Sequence, residues 1–361
     1  MKKLFCNILN KRNALKLIPP VQRSSSPLTA PNPALSFTRT YASIKRPIVI
    51  GGSNVDIVAT LLPPTVLADI PMDGRMVSGT ISQCRGGVGR NIGDALAKLN
   101  TNPLLITAVG NDEMGQFLTS GLKHMDTKGV LHCKQEASAS CCVIVDQDGE
   151  CKFIIGNMNI HANISLHWIQ KFEQDLINAS FIVFDGNLKP DAINYILQIC
   201  HIHNIPVWFE PTDIAVCSII KSTQWTSITH LSPNFNELKH MTSALTGNNY
   251  SHINPTCIEE FINESVTLAK HFPTHTLLMV TLGRHGMVLI CGDSMNYYEA
   301  LPVDNIVNVS GAGDCAVAGY IAAQLSGNNE MERVSAALSC AWQSLMSSTP
   351  VPTKLSRKSK S

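Results

Sequence analysis

The chain has 361 residues, 44% hydrophobic and 15% charged, a balance that excludes a disordered protein and is long enough for one large domain or two. No apolar run reaches about 18 residues, which excludes a membrane-spanning helix. The net charge of +1 hides an uneven placement: residues 1–47 hold nine Lys/Arg and no acid, 354–361 hold four more Lys/Arg, and 48–353 carry 15 basic against 27 acidic residues. A body that acidic excludes a nucleic-acid groove as its main surface and suits small molecules.

In residues 1–47, Leu4, Ile8, Leu15 and Ile18 make a short apolar face beside Lys2, Lys3, Lys11, Arg12 and Lys16. This is the composition of a mitochondrial transit segment; the alternative is a plain basic tail on a cytoplasmic protein. Pro19, Pro20, Pro27, Pro31 and Pro33 keep this stretch out of the fold, so the folded body is expected over 48–353, with a basic tail over 354–361.

Within the body, strand and helix patterns alternate. Ile48-Val49-Ile50 leads to Gly51-Gly52, residues 92–99 have apolar spacing near 3.6, and Leu104-Leu105-Ile106 leads to Val109-Gly110. Phe181–Phe184 ends in Asp185, 192–200 is helical in pattern, Val207-Trp208-Phe209 ends in Glu210-Pro211, and 277–281 ends in Leu282-Gly283. Two more helices are expected over 315–325 and 331–347. Continuous apolar strands alternating with helices predict an α/β protein: a mainly parallel sheet covered on both faces, with polar residues at the strand ends. Residues 74–84 and 141–156 alternate instead, the second around an Asp148-Gly149 turn, and predict a small antiparallel sheet that covers the site as a lid.

Twelve cysteines stand scattered without CxxC spacing, so they read as reduced thiols. His201 and His203 have no second ligand cluster with zinc spacing and read as helix-end histidines.

Five segments carry chemistry. Asn308-Val-Ser-Gly311-Ala312-Gly313-Asp314 precedes a small-residue helix; its glycines permit a tight turn, and the N–H groups of the helix start favour an anion. Asp314 in that positive field is placed to take a proton from an attacking hydroxyl; packing glycines with a dipole-paired Asp are the alternative. Gly86-Gly87-Val88-Gly89-Arg90-Asn91 opens the helix over 92–99 but misses dinucleotide spacing by one residue, and no GxxxxGK[ST] loop exists in the chain. Asn91 offers both a donor and an acceptor. Asn54 and Asp56 follow the first strand and, taken alone, read as a loop or helix cap. Asn234 and Glu237 form a capping-box pattern that also suits a hard cation. Thr281-Leu282-Gly283-Arg284-His285-Gly286 ends a buried strand, and an exposed turn explains its Arg and His.

These five segments, in order over about residues 47–350, resemble the signatures of the ribokinase-like (PfkB) sugar-kinase family. Ser310 stands where the family usually has Thr, and Gly93 and Asn100 depart from the first signature. The resemblance implies a three-layer α/β/α fold with a β lid. It implies Asp314 as catalytic base and Gly311, Ala312 and Gly313 as an anion hole. Asn54, Asp56, Gly86, Gly87 and Asn91 would hold the sugar. Asn234 and Glu237 would orient Mg2+ through water, and Thr281, Gly283 and Gly286 would lie beside ATP.

Within the family, Arg90 before Asn91, Phe184-Asp185-Gly186-Asn187-Leu188 and Glu210-Pro211-Thr212 resemble the pseudouridine kinases more than ribokinases or fructokinases. The chain departs from them in having Asn157-Met158 where they carry Asp-Met. The resemblance implies ATP-dependent phosphorylation of the 5′-hydroxyl of pseudouridine. The alternatives are a kinase of another sugar or nucleoside and a catalytically silent nucleoside-binding relative. Activation by a monovalent cation such as K+ and a homodimer formed through the lid are further expectations of the same kind.

Overall fold

The computed structural model describes residues 45–62, 73–145, 151–214, 219, 225–248 and 258–358. The expected targeting segment up to residue 44 and the hairpin turn at 146–149 lie outside the described residues. In chain order the strands are β1 (Pro47–Ile50), β2 (Asn54–Leu61), β3 (Gly79–Gly86), β4 (Leu104–Gly110), β5 (Asp126–Cys133), β6 (Ala139–Val145), β7 (Cys151–Asn157), β8 (Phe181–Asp185), β9 (Val207–Glu210), β10 (His230–Leu231), β11 (Leu277–Thr281), β12 (Met287–Cys291) and β13 (Ser294–Tyr298). The helices are α1 (Val88–Lys98), α2 (Glu113–Ser120), α3 (Leu166–Gln170), α4 (Glu173–Ile177), α5 (Pro190–His203), α6 (Phe235–Thr246), α7 (Ile258–Ala269), α8 (Ala312–Leu325) and α9 (Glu330–Leu345).

The large sheet runs β13-β12-β11-β10-β9-β8-β1-β4-β5. It is parallel from β5 to β11 and antiparallel at the β12–β13 edge. The apolar strands bury both faces, as an α/β sheet requires. Ile48, Ile50, Ile106, Ile182 and Phe184 enter one core with Ile193 and Ile196 of α5 and Leu238 of α6. Their strand neighbours Val49, Leu105, Phe181 and Val183 enter a second core with Ile92 and Leu96 of α1, Tyr320 of α8 and Val334 of α9. Each such side chain contributes about 1.5–3 kcal/mol by leaving water. The result is the expected three-layer architecture. His201 and His203 lie in the last turn of α5, and the described residues contain no group of three or more His, Cys, Asp or Glu that would hold a metal ion directly.

The small sheet runs β3-β2-β6-β7. The two alternating stretches supply β3, β6 and β7. Its fourth strand, β2, was read from the sequence only as the loop after β1. Three residues, Gly51 to Ser53, separate β1 from β2, so the chain passes from one sheet to the other with almost no turn signal. Two pairings are antiparallel, and the central one, β2 with β6, is parallel.

Helix α8 has no polar stripe: Asp314 to Ala323 are all buried, because α8 lies between the sheet and α9. Gly319 permits that approach, since a Cβ there would lie 2.6 Å from the Ala336 carbonyl oxygen and 2.9 Å from Cys340 Sγ. Gly319→Val is therefore expected to lower stability by about 1–3 kcal/mol, read as a fall in the urea midpoint at unchanged slope.

Candidate active site

The chain runs outward from β1 through β4 to β5, then returns to β8 on the other side of β1 and runs outward again. Such reversals leave a crevice at the carboxyl ends of the strands. Asp185, the last residue of β8, sits there, 1% exposed. Its Oδ2 accepts the N–H of Gly52 at 2.7 Å and of Gly89 at 3.0 Å, and its Oδ1 accepts the N–H of Asn187 at 3.1 Å. Burial raises its pKa, and the Gly52 N–H, then His161, oppose the rise. The imidazole of His161 lies between the Ser53 carbonyl and the Asn187 side chain, 3.2 Å from each.

Asp314 stands in the first turn of α8, 8% exposed. Gly311 caps that helix at φ +80°, a left-handed conformation that glycine adopts without strain, with the Pro350 carbonyl behind it. Gly313 is different: its backbone is ordinary, and nothing lies within 4 Å of where a Cβ would be. Open space over first-turn N–H groups is what a bound anion needs. The Asn91 amide donates from Nδ2 to Asp314 Oδ2 at 2.8 Å. Its Oδ1 in turn accepts from Arg90 Nη1 at 3.0 Å, and Arg90 Nη2 meets Asp94 at 2.8 Å. The guanidinium thus fixes the amide with its NH2 toward Asp314, which leaves Asn91 a donor in this arrangement. Burial raises the Asp314 pKa to about 7; the Asn91 bond opposes the rise, while the carboxylates of Asp185, Glu237 and Asp56 add to it.

Asp56 faces inward from β2. Its carboxylate accepts from the Asn54 amide and from Cys141 Sγ at 3.0 Å, with Cys84 Sγ 3.9 Å away. A Cβ at Gly86 would collide with this carboxylate, so the glycine makes room for it. Burial raises the pKa of Asp56, and it raises that of Cys84 to about 11, so the thiol is a proton donor at neutral pH.

Asn234 and Glu237 form the expected capping box at the start of α6: Asn234 Oδ1 accepts the N–H of Asn236 and Glu237, and Glu237 Oε2 accepts the N–H of Asn234 at 2.8 Å. Thr281 pairs with Asn234 across the strand ends, and Gly283 and Gly286 bound the following turn. Half-buried Glu210 accepts from Ser232 Oγ, and desolvation, then the Glu237 charge, hold its pKa well above the usual range. Burial likewise raises Glu237. Desolvated carboxylates that repel one another, with one Glu237 oxygen left over from the capping box, fit a hard cation held through water.

Residues 57–352 match the pattern of the pfkB family carbohydrate kinases. The chain belongs to the pfkB family of carbohydrate kinases. It is 29% identical over 266 residues to the pseudouridine kinase of Arabidopsis thaliana, covering 72% of this chain and 68% of that protein. It is 28% identical over 306 residues to the pseudouridine kinase of Escherichia coli K12, covering 82% and 90%. The solved structure of Arabidopsis thaliana ribokinase complexed with ribose and ATP aligns with a TM-score of 0.69 at 21% identity, over 87% of this chain and 96% of that one. The pfkB fold is thus ribokinase-like, and the chain is a phosphotransferase of that family.

The structure brings Asp314 and Asn91 into direct contact and sets Asp56, Asp185 and Glu237 close enough to shift the Asp314 titration. Sequence reasoning assigned no role to Asp185, Glu210 or Cys141, and used Arg90 only for resemblance. Asp185 and Glu210 each end a buried apolar strand, and Arg90, Asp94 and Lys98 stand four apart on one helix; both signals were in the sequence. The family resemblance implies that Asp314 takes the acceptor's proton; a carboxylate in that role must be ionised, so kcat/KM for the phosphate acceptor is expected to fall as pH drops through about 7. Asn91→Ala removes a hydrogen bond to the charged form, and it is expected to move that acid limb upward by roughly one unit in a pH–rate profile.

Proposed function

We propose that this pfkB kinase transfers the γ-phosphoryl group of ATP to the 5′-hydroxyl of pseudouridine. The observation that carries phosphoryl transfer is Asp314 under the open N–H groups of α8, with Oδ2 held by Asn91 and Oδ1 without a donor among the described residues. Two pseudouridine kinases at 29% and 28% identity, together with Arg90-Asn91 and Glu210-Pro211-Thr212, support the choice of acceptor.

The inward face of the lid, with Asn54 and Asp56, holds the ribose. Asp314 takes the proton of the 5′-hydroxyl as its oxygen bonds to the γ-phosphorus, and the bond from that phosphorus to the bridging oxygen breaks to release ADP. The N–H groups of Ala312, Gly313 and Asp314 meet the charge on the transferring oxygens, so positioning and fixed dipoles do most of the work. A magnesium ion bound through water by Asn234 and Glu237 would supply positive charge beside the phosphates. A monovalent cation such as K+ near the anion hole of Gly311, Ala312 and Gly313 belongs to the same reading. The lid face opposite Asp56 exposes Ile81, Phe153 and Ile155, which supports pairing with a second copy. The basic composition of residues 1–47 supports delivery to mitochondria.

The full chain, incubated with Mg-ATP and pseudouridine, uridine, adenosine or ribose while ADP is followed, tests the reading. Higher kcat/KM on ribose or adenosine overturns the acceptor; ADP release with none of them overturns the kinase reading. Asp314→Asn should keep the fold by circular dichroism and lose turnover by about 100-fold or more. Asp56→Ala should instead raise KM for the nucleoside by roughly tenfold at little cost in kcat, since it removes a charged hydrogen-bond acceptor for the sugar.

A further inference from the structure

A cavity of about 830 Å³ opens outside the catalytic cleft, bounded by β3, α1, the turn after α2 and the segment 349–355. None of Asp56, Asn91, Asp185, Glu237 and Asp314 lines it. Its lining carries the cations Arg85, Arg90, Lys98 and Lys354 beside His124, with Asp94 as the single carboxylate. Residues 48–353 hold 27 acids against 15 bases, and three of those bases line this cavity together with Lys354 from the following segment, a local concentration of positive charge. Asp94 is 1% exposed and is met by Arg90 at 2.8 Å, Lys98 at 3.1 Å and His124 at 2.8 Å. One negative charge cannot balance that set, and Arg90, 5% exposed, keeps a buried Nε without a partner.

The guanidinium at the rim is held in place rather than loose. Arg85 gives Nε to the Phe117 carbonyl at 2.7 Å and Nη2 to Ser120 Oγ at 3.0 Å, and its guanidinium lies 4.1 Å from the centre of the Phe117 ring. Its Nη1 stays open. Lys354 is exposed and has no partner among the described residues. A fixed guanidinium edge and an ammonium over a space of this size match an anionic small molecule, and phosphate oxygens are the usual partner of such a fork.

We propose that this cavity is a second binding site, for a phosphate monoester, whose occupancy acts on catalysis from outside the cleft. Two of its walls touch the catalytic groups. Arg90 orients Asn91 against Asp314, and the Pro350 carbonyl backs Gly311 at the mouth of α8. The binding site stands on the cavity alone; its effect on turnover rests on the reading of Asp314 as the base.

Titration calorimetry on the full chain, with Mg-ADP saturating throughout, tests it using inorganic phosphate and uridine 5′-monophosphate as probes. The expected result is saturable binding of the monophosphate, weakened roughly tenfold or more by Lys354→Glu, with ADP affinity unchanged in that variant. Arg85→Gln provides a second variant and should weaken binding in the same direction. Absence of saturable monophosphate binding up to about 10 mM, or wild-type affinity in both variants, overturns the site. Binding of inorganic phosphate with exclusion of the monophosphate overturns the ester assignment. These outcomes are read as heat and do not depend on turnover, so they stand apart from any failure of the kinase reading. A monophosphate-dependent change of at least twofold in kcat that Lys354→Glu removes supports the link to catalysis; an unchanged kcat at saturation overturns it.

Discussion

A carboxylate that must carry charge in a nearly dry cleft needs compensation, and Asp314 receives it from a single amide. Burial and the neighbouring acids favour its protonated form, whereas the Asn91 hydrogen bond favours the ionised form, and the balance places the group near neutrality. That one contact spans 223 positions of sequence and ties α1 to α8, so the layer of helices behind the sheet is also the frame that sets this carboxylate. The rest of the site follows from it. Arg90 is buried at the cost of desolvation so that the amide points one way, and Asp94 is buried so that Arg90 is not alone.

A second carboxylate does framework work. Asp185 gathers N–H groups from the loop after β1 and from the start of α1, and so holds two glycine-rich turns at the point where the sheet reverses direction. Beside it the loops after β8 and β9 are joined by the Gly186 N–H, which reaches the Glu210 carbonyl and Thr212 Oγ1, both at 2.9 Å. Thr212 holds φ at +74°, unusual for a β-branched residue, and such backbone persists where surrounding bonds over-determine it.

Much of this was legible in the sequence because it is local. Apolar runs ending in glycine or acid gave the parallel strands β1, β4, β8, β9 and β11 but not β5, whose residues are partly exposed, nor the two-residue β10; Gly311-Ala312-Gly313-Asp314 gave the helix mouth, since the spacing of a turn and the dipole of a helix act within a few residues. Alternation gave β3, β6 and β7 of the lid. What escaped was long-range or ambiguous. Strand β2 follows β1 so closely that one extended run and two strands in different sheets share the same pattern. Asn91 offers a donor and an acceptor on paper; only the position of Arg90 decides that the acceptor is taken. Cys141 reaches Asp56 through strand pairing 85 positions apart, which no spacing in the chain announces.

The short passage between the sheets has a mechanical consequence. Gly52 precedes β2 and Gly89 follows β3, and Asp185 grips both, so the lid is pinned at its base by one side chain of the opposite body. On its far side Ser138, just ahead of β6, is fastened to Asp112 through its N–H at 2.7 Å and its hydroxyl at 2.6 Å. These bonds tie down the end of the sheet where β2 and β6 begin and β3 ends, whereas the opposite ends of those strands lack such ties among the described residues. Asp56, two residues into β2, therefore stands beside the anchored root of the sheet rather than out along its free strands.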